Sequence, residues 1–265
     1  MAGPADGAVA VLLPGAGSSA DFLRRAFARP LAAAGCRLVA MPPRPGTGVV
    51  EAGYAALDTA LRAYGPRLRL VGGVSLGAHV AACWTARQPA AGDGPPRPTA
   101  PWAAHEPAPG AATGSDLRQS AVPGLLLALP AWTGAPGPVA AATAGAADRV
   151  AELGVAGALR AAGAGPIRWV AAELAAAWPA YGDGLAATLR AAAAARGPSV
   201  GELRSVTAAA GVVCFTDDPL HPAAVAEEWA TVLPRAGLAR LRLADLAADR
   251  SVLGAAAVRA LAAAG

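Results

Sequence analysis

The chain has 265 residues, 55% of them hydrophobic, and a formal charge of +4 from 22 basic and 18 acidic side chains. That is enough apolar material for one large α/β domain with a sizeable core, and it excludes disorder throughout. Every basic residue is Arg, so Schiff-base, lysine-base and P-loop chemistry have no residue to run on. The arginines are scattered singly or in pairs such as Arg24 and Arg25, without interleaved aromatics, which argues against nucleic acid as a partner.

The abundance of Ala, Gly, Pro and Arg resembles the coding bias of a GC-rich genome, so Ala-rich runs carry little functional information. Cys36, Cys83 and Cys214 are odd in number, far apart and set among apolar residues, which predicts reduced buried thiols, no disulfide framework and no metal site. A cytoplasmic location is the expectation. Residues 1–7 lack a basic n-region, so neither a signal peptide nor an anchor is expected. The Ala-rich stretches are broken by charges or Pro before they reach spanning length.

In chain order, Ala8 to Leu13 is a short apolar run predicting a strand. It stops at Pro14-Gly15-Ala16-Gly17-Ser18-Ser19, and Ala20 to Ala34 then reads as a helix with Phe22, Leu23, Phe27 and Leu31 on one face. Arg37 to Met41 predicts a second strand, closed by the proline-rich 42–46, and Glu51 to Tyr64 a second helix. Leu68 to Ser75 predicts a third strand running straight into a helix from Ala78 to Arg87. Strands alternating with single helices imply βαβ units and a parallel sheet covered on both faces.

Residues 88–124 break the alternation with many prolines and read as a long irregular loop containing His105. Leu125 to Leu129 is a fourth strand. From Pro138 to Ser205 only helical patches occur: Val139 to Leu153, Val155 to Ala162, Arg168 to Trp178 and Tyr181 to Arg196. This predicts a helical insertion, beneath which Trp132, Trp169, Trp178 and Tyr181 line an apolar pocket or simply take part in ordinary helix packing. Gly211 to Phe215 and Leu238 to Leu243 are the last strands. Helices from Ala223 to Leu233 and Val252 to Ala264 follow them, and Pro222 stands at the first position of the former.

Chemistry is stated at Gly73-Val74-Ser75-Leu76-Gly77, a G-x-S-x-G pattern between a strand and a helix. A serine on so sharp a turn takes a strained conformation, and glycines two residues to either side allow the close approach that the turn demands. The same turn aims the Leu76 N–H, at the helix start, where an oxyanion would be stabilised. The plainer reading is a helix N-terminus capped by Ser75. The early loop at Gly15-Ala16-Gly17 lacks the third glycine of a dinucleotide fingerprint, which leaves nucleotide binding a distant alternative.

With the elbow, the early Gly-rich loop, the mid-chain helical insertion and the late Asp-containing loop in this order, the chain resembles the α/β-hydrolase fold superfamily. The resemblance covers most of the sequence. It implies a mostly parallel, doubly wound sheet of about six strands that lacks the family's usual first two, with a helical cap. The expected division is a core in two parts, 1–135 and 207–265, around a cap at 136–206.

The resemblance further implies Ser75 as nucleophile, the N–H groups of Ala16 and Leu76 as the oxyanion hole, and Asp218 rather than Asp217 as the acid. No cofactor is implied. The family carries its histidine in the loop after the last strand, which here reads Leu246-Ala247-Ala248-Asp249-Arg250, with alanine near the histidine's position. Three histidines remain as candidate bases: His221, three residues after Asp218; His79, one turn along the helix from Ser75; and His105 in the irregular loop.

The activity implied is serine-nucleophile hydrolysis or acyl transfer on a small apolar ester or thioester. The alternative is a catalytically impaired relative serving as a ligand- or partner-binding module. Neither nucleic acid nor membrane is an expected partner, and the oligomeric state is left open.

Overall fold

The computed structural model describes residues 7–88, 123–163 and 167–264. The irregular loop expected at 88–124, with His105, lies almost wholly outside the described residues. Six strands, β1 Ala8–Leu13, β2 Cys36–Ala40, β3 Leu68–Val74, β4 Gly124–Ala128, β5 Ala210–Phe215 and β6 Ala236–Leu241, form one sheet in the order β2-β1-β3-β4-β5-β6. All five pairings are parallel. The sheet agrees with the six parallel strands expected.

Its central strands are buried on both sides, which is why they read as continuous apolar runs without polar alternation. Helices α1 Ala20–Ala33 and α9 Ser251–Ala263 cover one face, with Phe27, Leu31 and Leu253 packed against Leu12, Leu126 and Phe215. The other face carries α2 Val49–Tyr64, α3 Leu76–Ala86 and α8 Ala223–Val232, where Leu57, Trp84 and Trp229 meet Val11, Val71 and Val212. The three cysteines are free and buried, as their apolar settings predicted.

Between β4 and β5 the described chain is helical: α4 Pro138–Gly163, α5 Arg168–Ala177, a 3₁₀ turn Trp178–Gly184, α6 Leu185–Ala194 and α7 Val200–Ser205. α4 breaks at Gly154, whose φ of 66° interrupts the helix where the sequence pattern also pauses. The helix expected from Tyr181 to Arg196 begins later, because Gly182 at φ 52° forces a turn before α6. Helix α7 was not expected, although its capping box is legible: Ser199 Oγ accepts from the Glu202 N–H while the Glu202 carboxylate accepts from the Ser199 N–H.

The last strand was expected two residues later. β6 is an edge strand set by its register with β5, Ala210 opposite Ala236 through Phe215 opposite Leu241. Beyond it the Leu243 N–H donates to Asp217 Oδ1 (2.8 Å), which draws the chain out of the sheet into a 3₁₀ turn, Leu243–Leu246.

Candidate active site

The order β2-β1-β3 reverses direction between β1 and β3, so the loops leaving the carboxyl ends of those two strands part and open a crevice, the usual place for a ligand in such a sheet. Those loops carry Pro14 to Ser19 and Ser75. A cavity of about 340 Å³ opens there, bounded below by the β1, β3 and β5 loops and above by α5. Its walls are mainly apolar, with Phe22, Ile167, Trp169, Leu174 and Phe215 contributing. Its polar groups include Ser75, Asp218 and His221.

Ser75 is the N-cap of α3 but makes no side-chain cap hydrogen bond, and its φ of 54° and ψ of −116° lie where serine rarely goes. A plain helix cap is therefore not what this serine is. Its backbone is held by the Ser75 N–H donating to Ala128 O (2.9 Å) and by the Ser75 carbonyl accepting from Ala78 and His79 N–H groups. The turn needs its glycines: a Cβ on Gly73 would lie 2.4 Å from Leu13 O, and one on Gly77 2.3 Å from the same atom. Among the described residues the non-glycine positive-φ positions are Ser75 and Leu129, at φ 57°, and both line this cavity. Strained backbone gathers at functional sites because only a reason beyond stability preserves it.

Asp218 and His221 share the loop between β5 and α8. His221 Nδ1–H donates to Asp218 Oδ2 (2.7 Å), and Asp218 Oδ1 accepts from the Leu220 N–H (2.8 Å). Burial raises the Asp218 carboxyl, but the hydrogen bond and charge of His221, with backbone N–H donors, outweigh it and hold the group below its ordinary range. With Nδ1 committed to the carboxylate, the proton-accepting nitrogen of a neutral His221 is Nε2. Ser75 Oγ makes no hydrogen bond to that ring in this structure, although both residues line the same cavity. Asp217 points elsewhere, to Leu243 N–H and Arg242.

His79 has a different place. It is 1% exposed, with Trp132 and Trp229 at ring-centroid distances of 4.8 and 5.4 Å, and its Nε2 accepts from the Ala131 N–H (3.0 Å). Burial, aided by the charge of His221, lowers its pKa to about 3, so it stays neutral. Its accepting nitrogen is spent on the backbone.

Of the two predicted oxyanion residues, Leu76 follows Ser75 in the chain and lines a smaller neighbouring cavity, whereas Ala16 lines the cavity that holds Ser75. Leu76 opens α3, and the first N–H groups of a helix have no intrahelical acceptor. Ala16 lines the cavity from the β1 loop, where a Cβ on Gly15 would approach Val74 O to 3.1 Å and Ser75 Cβ to 3.3 Å. Of the four aromatics expected at a pocket under the insertion, only Trp169 lines this cavity. Trp132 packs on His79 and donates to Ala195 O (3.1 Å), while Trp178 and Tyr181 pack onto the β1 loop.

Near Ala248, the position that the resemblance associates with histidine, an ionic group not anticipated from sequence stands instead. Arg250 donates to Glu173 Oε1 (3.1 Å) and to the Leu246 and Ala247 carbonyls, and stacks on the Trp169 ring at 4.6 Å. Glu173 also pairs with Arg25, and Trp169 donates to Leu243 O (2.9 Å). The loop after β6 is thereby tied to α5 of the insertion. The pairing spans 77 residues of chain, and no local pattern announces it.

Among the described residues no group of three or more His, Cys, Asp and Glu side chains could hold a metal ion. No helix among them is long and apolar enough to cross a membrane.

A parallel sheet in this order, with a strained serine between β3 and α3 and an acid loop after β5, defines an α/β-hydrolase fold. Solved structures agree along most of the chain. A hydrolase from Pseudomonas aeruginosa is 20% identical, with 96% of this chain and 90% of that one covered at a TM-score of 0.59. A carboxylesterase structure from Nitrososphaera gargenis is 12% identical over 91% of this chain and 84% of its own, at a TM-score of 0.65. A thermophilic esterase from Thermogutta terrifontis is 16% identical over 89% and 81%, at 0.62. No protein-family sequence model matches the chain, and comparison with curated protein sequences finds no similar one.

Proposed function

We propose that this protein is a serine hydrolase that transfers the acyl group of a small apolar ester or thioester to water through an acyl-Ser75 intermediate. The observation that carries the reading is Ser75 itself: a serine in a strained elbow, unused as a cap, facing a largely apolar cavity that also holds a hydrogen-bonded acid–histidine pair.

In this mechanism His221 Nε2 takes the Ser75 Oγ proton as Oγ bonds to the acyl carbon. The carbonyl π pair moves to oxygen, where the N–H groups of Ala16 and Leu76 stabilise the negative charge. Collapse of the tetrahedral intermediate breaks the bond to the alcohol or thiol, which leaves with the proton from His221. Water then attacks the acyl-serine, again giving its proton to His221, and the acid departs as Ser75 Oγ is reprotonated. Asp218 holds the Nδ1 proton, so that Nε2 is the basic atom, and stabilises the imidazolium as it forms.

The apolar walls favour an aliphatic or aromatic acyl group over a charged one. Residues 136–206 act as a cap in this reading, supported by the contribution of α5 to the cavity roof. The three free, buried thiols fit a reducing, cytoplasmic setting.

The test is labelling with a fluorophosphonate probe, which reacts with activated serines. Native protein should label to one equivalent and Ser75→Ala, with its fold intact by circular dichroism, not at all. Equal labelling of both, or none of either, would refute the reading and favour the catalytically impaired binding module.

A further inference from the structure

The loop after β1 is gripped from two sides. Gly15 abuts the elbow, and Ser18 N–H donates to Gly15 O (3.0 Å), closing a turn whose third residue, Gly17, has φ 73°, the arrangement of a type II turn. Ala16 is the second residue of that turn. On the far side stands the 3₁₀ turn of the insertion. The Tyr181 hydroxyl donates to Ser18 O (2.6 Å), and a Cβ on Gly17 would lie 2.8 Å from Trp178 Nε1.

Ala16 packs at once against the core on one side and against the cluster containing Trp178, Tyr181 and Leu185 on the other. Tyr181 is 4% exposed and shares a small cavity wall with Gly15 and Leu76. Burial raises its phenol well above the ordinary value, with a backbone hydrogen bond at Gly17 offsetting only part of this, so the hydroxyl remains a donor across the working pH range.

An oxyanion hole lowers a barrier only if its donors stand in place before charge develops. A turn of Gly, Ala and Gly has little stiffness of its own, because glycine confines its backbone poorly and alanine offers no side chain long enough to lock it.

We propose that Tyr181 is a positioning residue for the oxyanion hole: its hydroxyl pins the Gly15–Ser18 turn, and with it the Ala16 N–H, so that the insertion contributes to the chemical step as well as covering the cavity. The inference rests on the serine-hydrolase reading above. It assigns the insertion an effect on kcat, whereas a cover alone would alter substrate binding and therefore chiefly KM.

The experiment compares wild type, Ser75→Ala and Tyr181→Phe for fluorophosphonate inactivation rate, final labelling stoichiometry, thermal melting and p-nitrophenyl butyrate hydrolysis. Tyr181→Phe keeps the ring and removes one hydroxyl. Complete loss of an oxyanion donor lowers kcat by about 10²- to 10³-fold, and a donor left in place but loosely held should lose less. The expected result is kcat and inactivation rate both reduced about tenfold, KM within twofold, full final labelling and a melting temperature lowered by only a few degrees, the cost of one hydrogen bond.

A Tyr181→Phe variant as fast as wild type would overturn the proposal while leaving the hydrolase reading intact. So would a variant that fails to fold, melts much earlier or labels incompletely, since Tyr181 would then serve folding, as would a change confined to KM. If wild type itself neither labels nor hydrolyses, the hydrolase reading falls and this inference falls with it.

Discussion

Replacing His221 with alanine bears most directly on the chemistry. The His221 ring is 19% exposed, and its hydrogen-bond partner, the Asp218 carboxylate, 10%. The substitution removes the group assigned to accept the Ser75 proton. It leaves Asp218 with its Leu220 N–H partner, so the loop keeps one of its anchors. Loss of a general base lowers rates by about 10²- to 10⁴-fold, or about 2.7 to 5.4 kcal/mol of transition-state stabilisation at 1.36 kcal/mol per decade. The loss of one partly exposed hydrogen bond should cost the fold about 1 kcal/mol.

Initial rates of p-nitrophenyl butyrate hydrolysis, with denaturant midpoints for each variant, separate the two effects. The expected outcome is a rate lowered at least 100-fold in a protein that still unfolds cooperatively near the native midpoint. With Nδ1 occupied by Asp218, the assigned role requires that Nε2 of His221 reach Ser75 Oγ during the reaction. A His221→Ala variant within threefold of wild type, in a preparation that Ser75→Ala silences, would refute the assignment of the base.

His79→Ala should behave in the opposite way. It empties a site packed between two tryptophans and strands the buried Ala131 N–H, at about 2 to 4 kcal/mol, so urea unfolding should shift strongly while turnover per folded molecule stays within severalfold of wild type. Acid stability should depend on Glu202, whose pKa is lowered to about 2 chiefly by the Arg196 hydrogen bond, with Ser199 assisting. A depressed folded-state pKa contributes stability above the unfolded value near 4.5 and loses it as pH falls through the folded one, so the melting temperature should drop between about pH 5 and 2, and Glu202→Gln should flatten that drop.

The fold was legible because its signals are local. Parallel strands buried on both faces must be apolar throughout, so Ala8–Leu13, Leu125–Leu127 and Gly211–Phe215 announce themselves, and single helices between them leave few topologies for a sheet. The elbow was legible for a steric reason. Ser75 can hold its backbone only where residues 73 and 77 lack a Cβ, and that requirement is written as two glycines at fixed spacing. Asp218 and His221 stand three residues apart in one loop, close enough for sequence to suggest their pairing.

What tertiary structure decided lies at longer range. The resemblance favours Asp218 over its neighbour Asp217, but only the tertiary fold shows one turning to the backbone beyond β6 and the other to His221. His79 sits one helical turn from Ser75, yet its side chain is committed to Ala131, 52 residues on. Arg250 near the expected histidine position meets Glu173, and Tyr181 meets Ser18, 163 residues away. A hydrogen bond across such a distance leaves no period or spacing in the chain. It exists only once the sheet has brought its loops to one edge and the helices between β4 and β5 have folded against them.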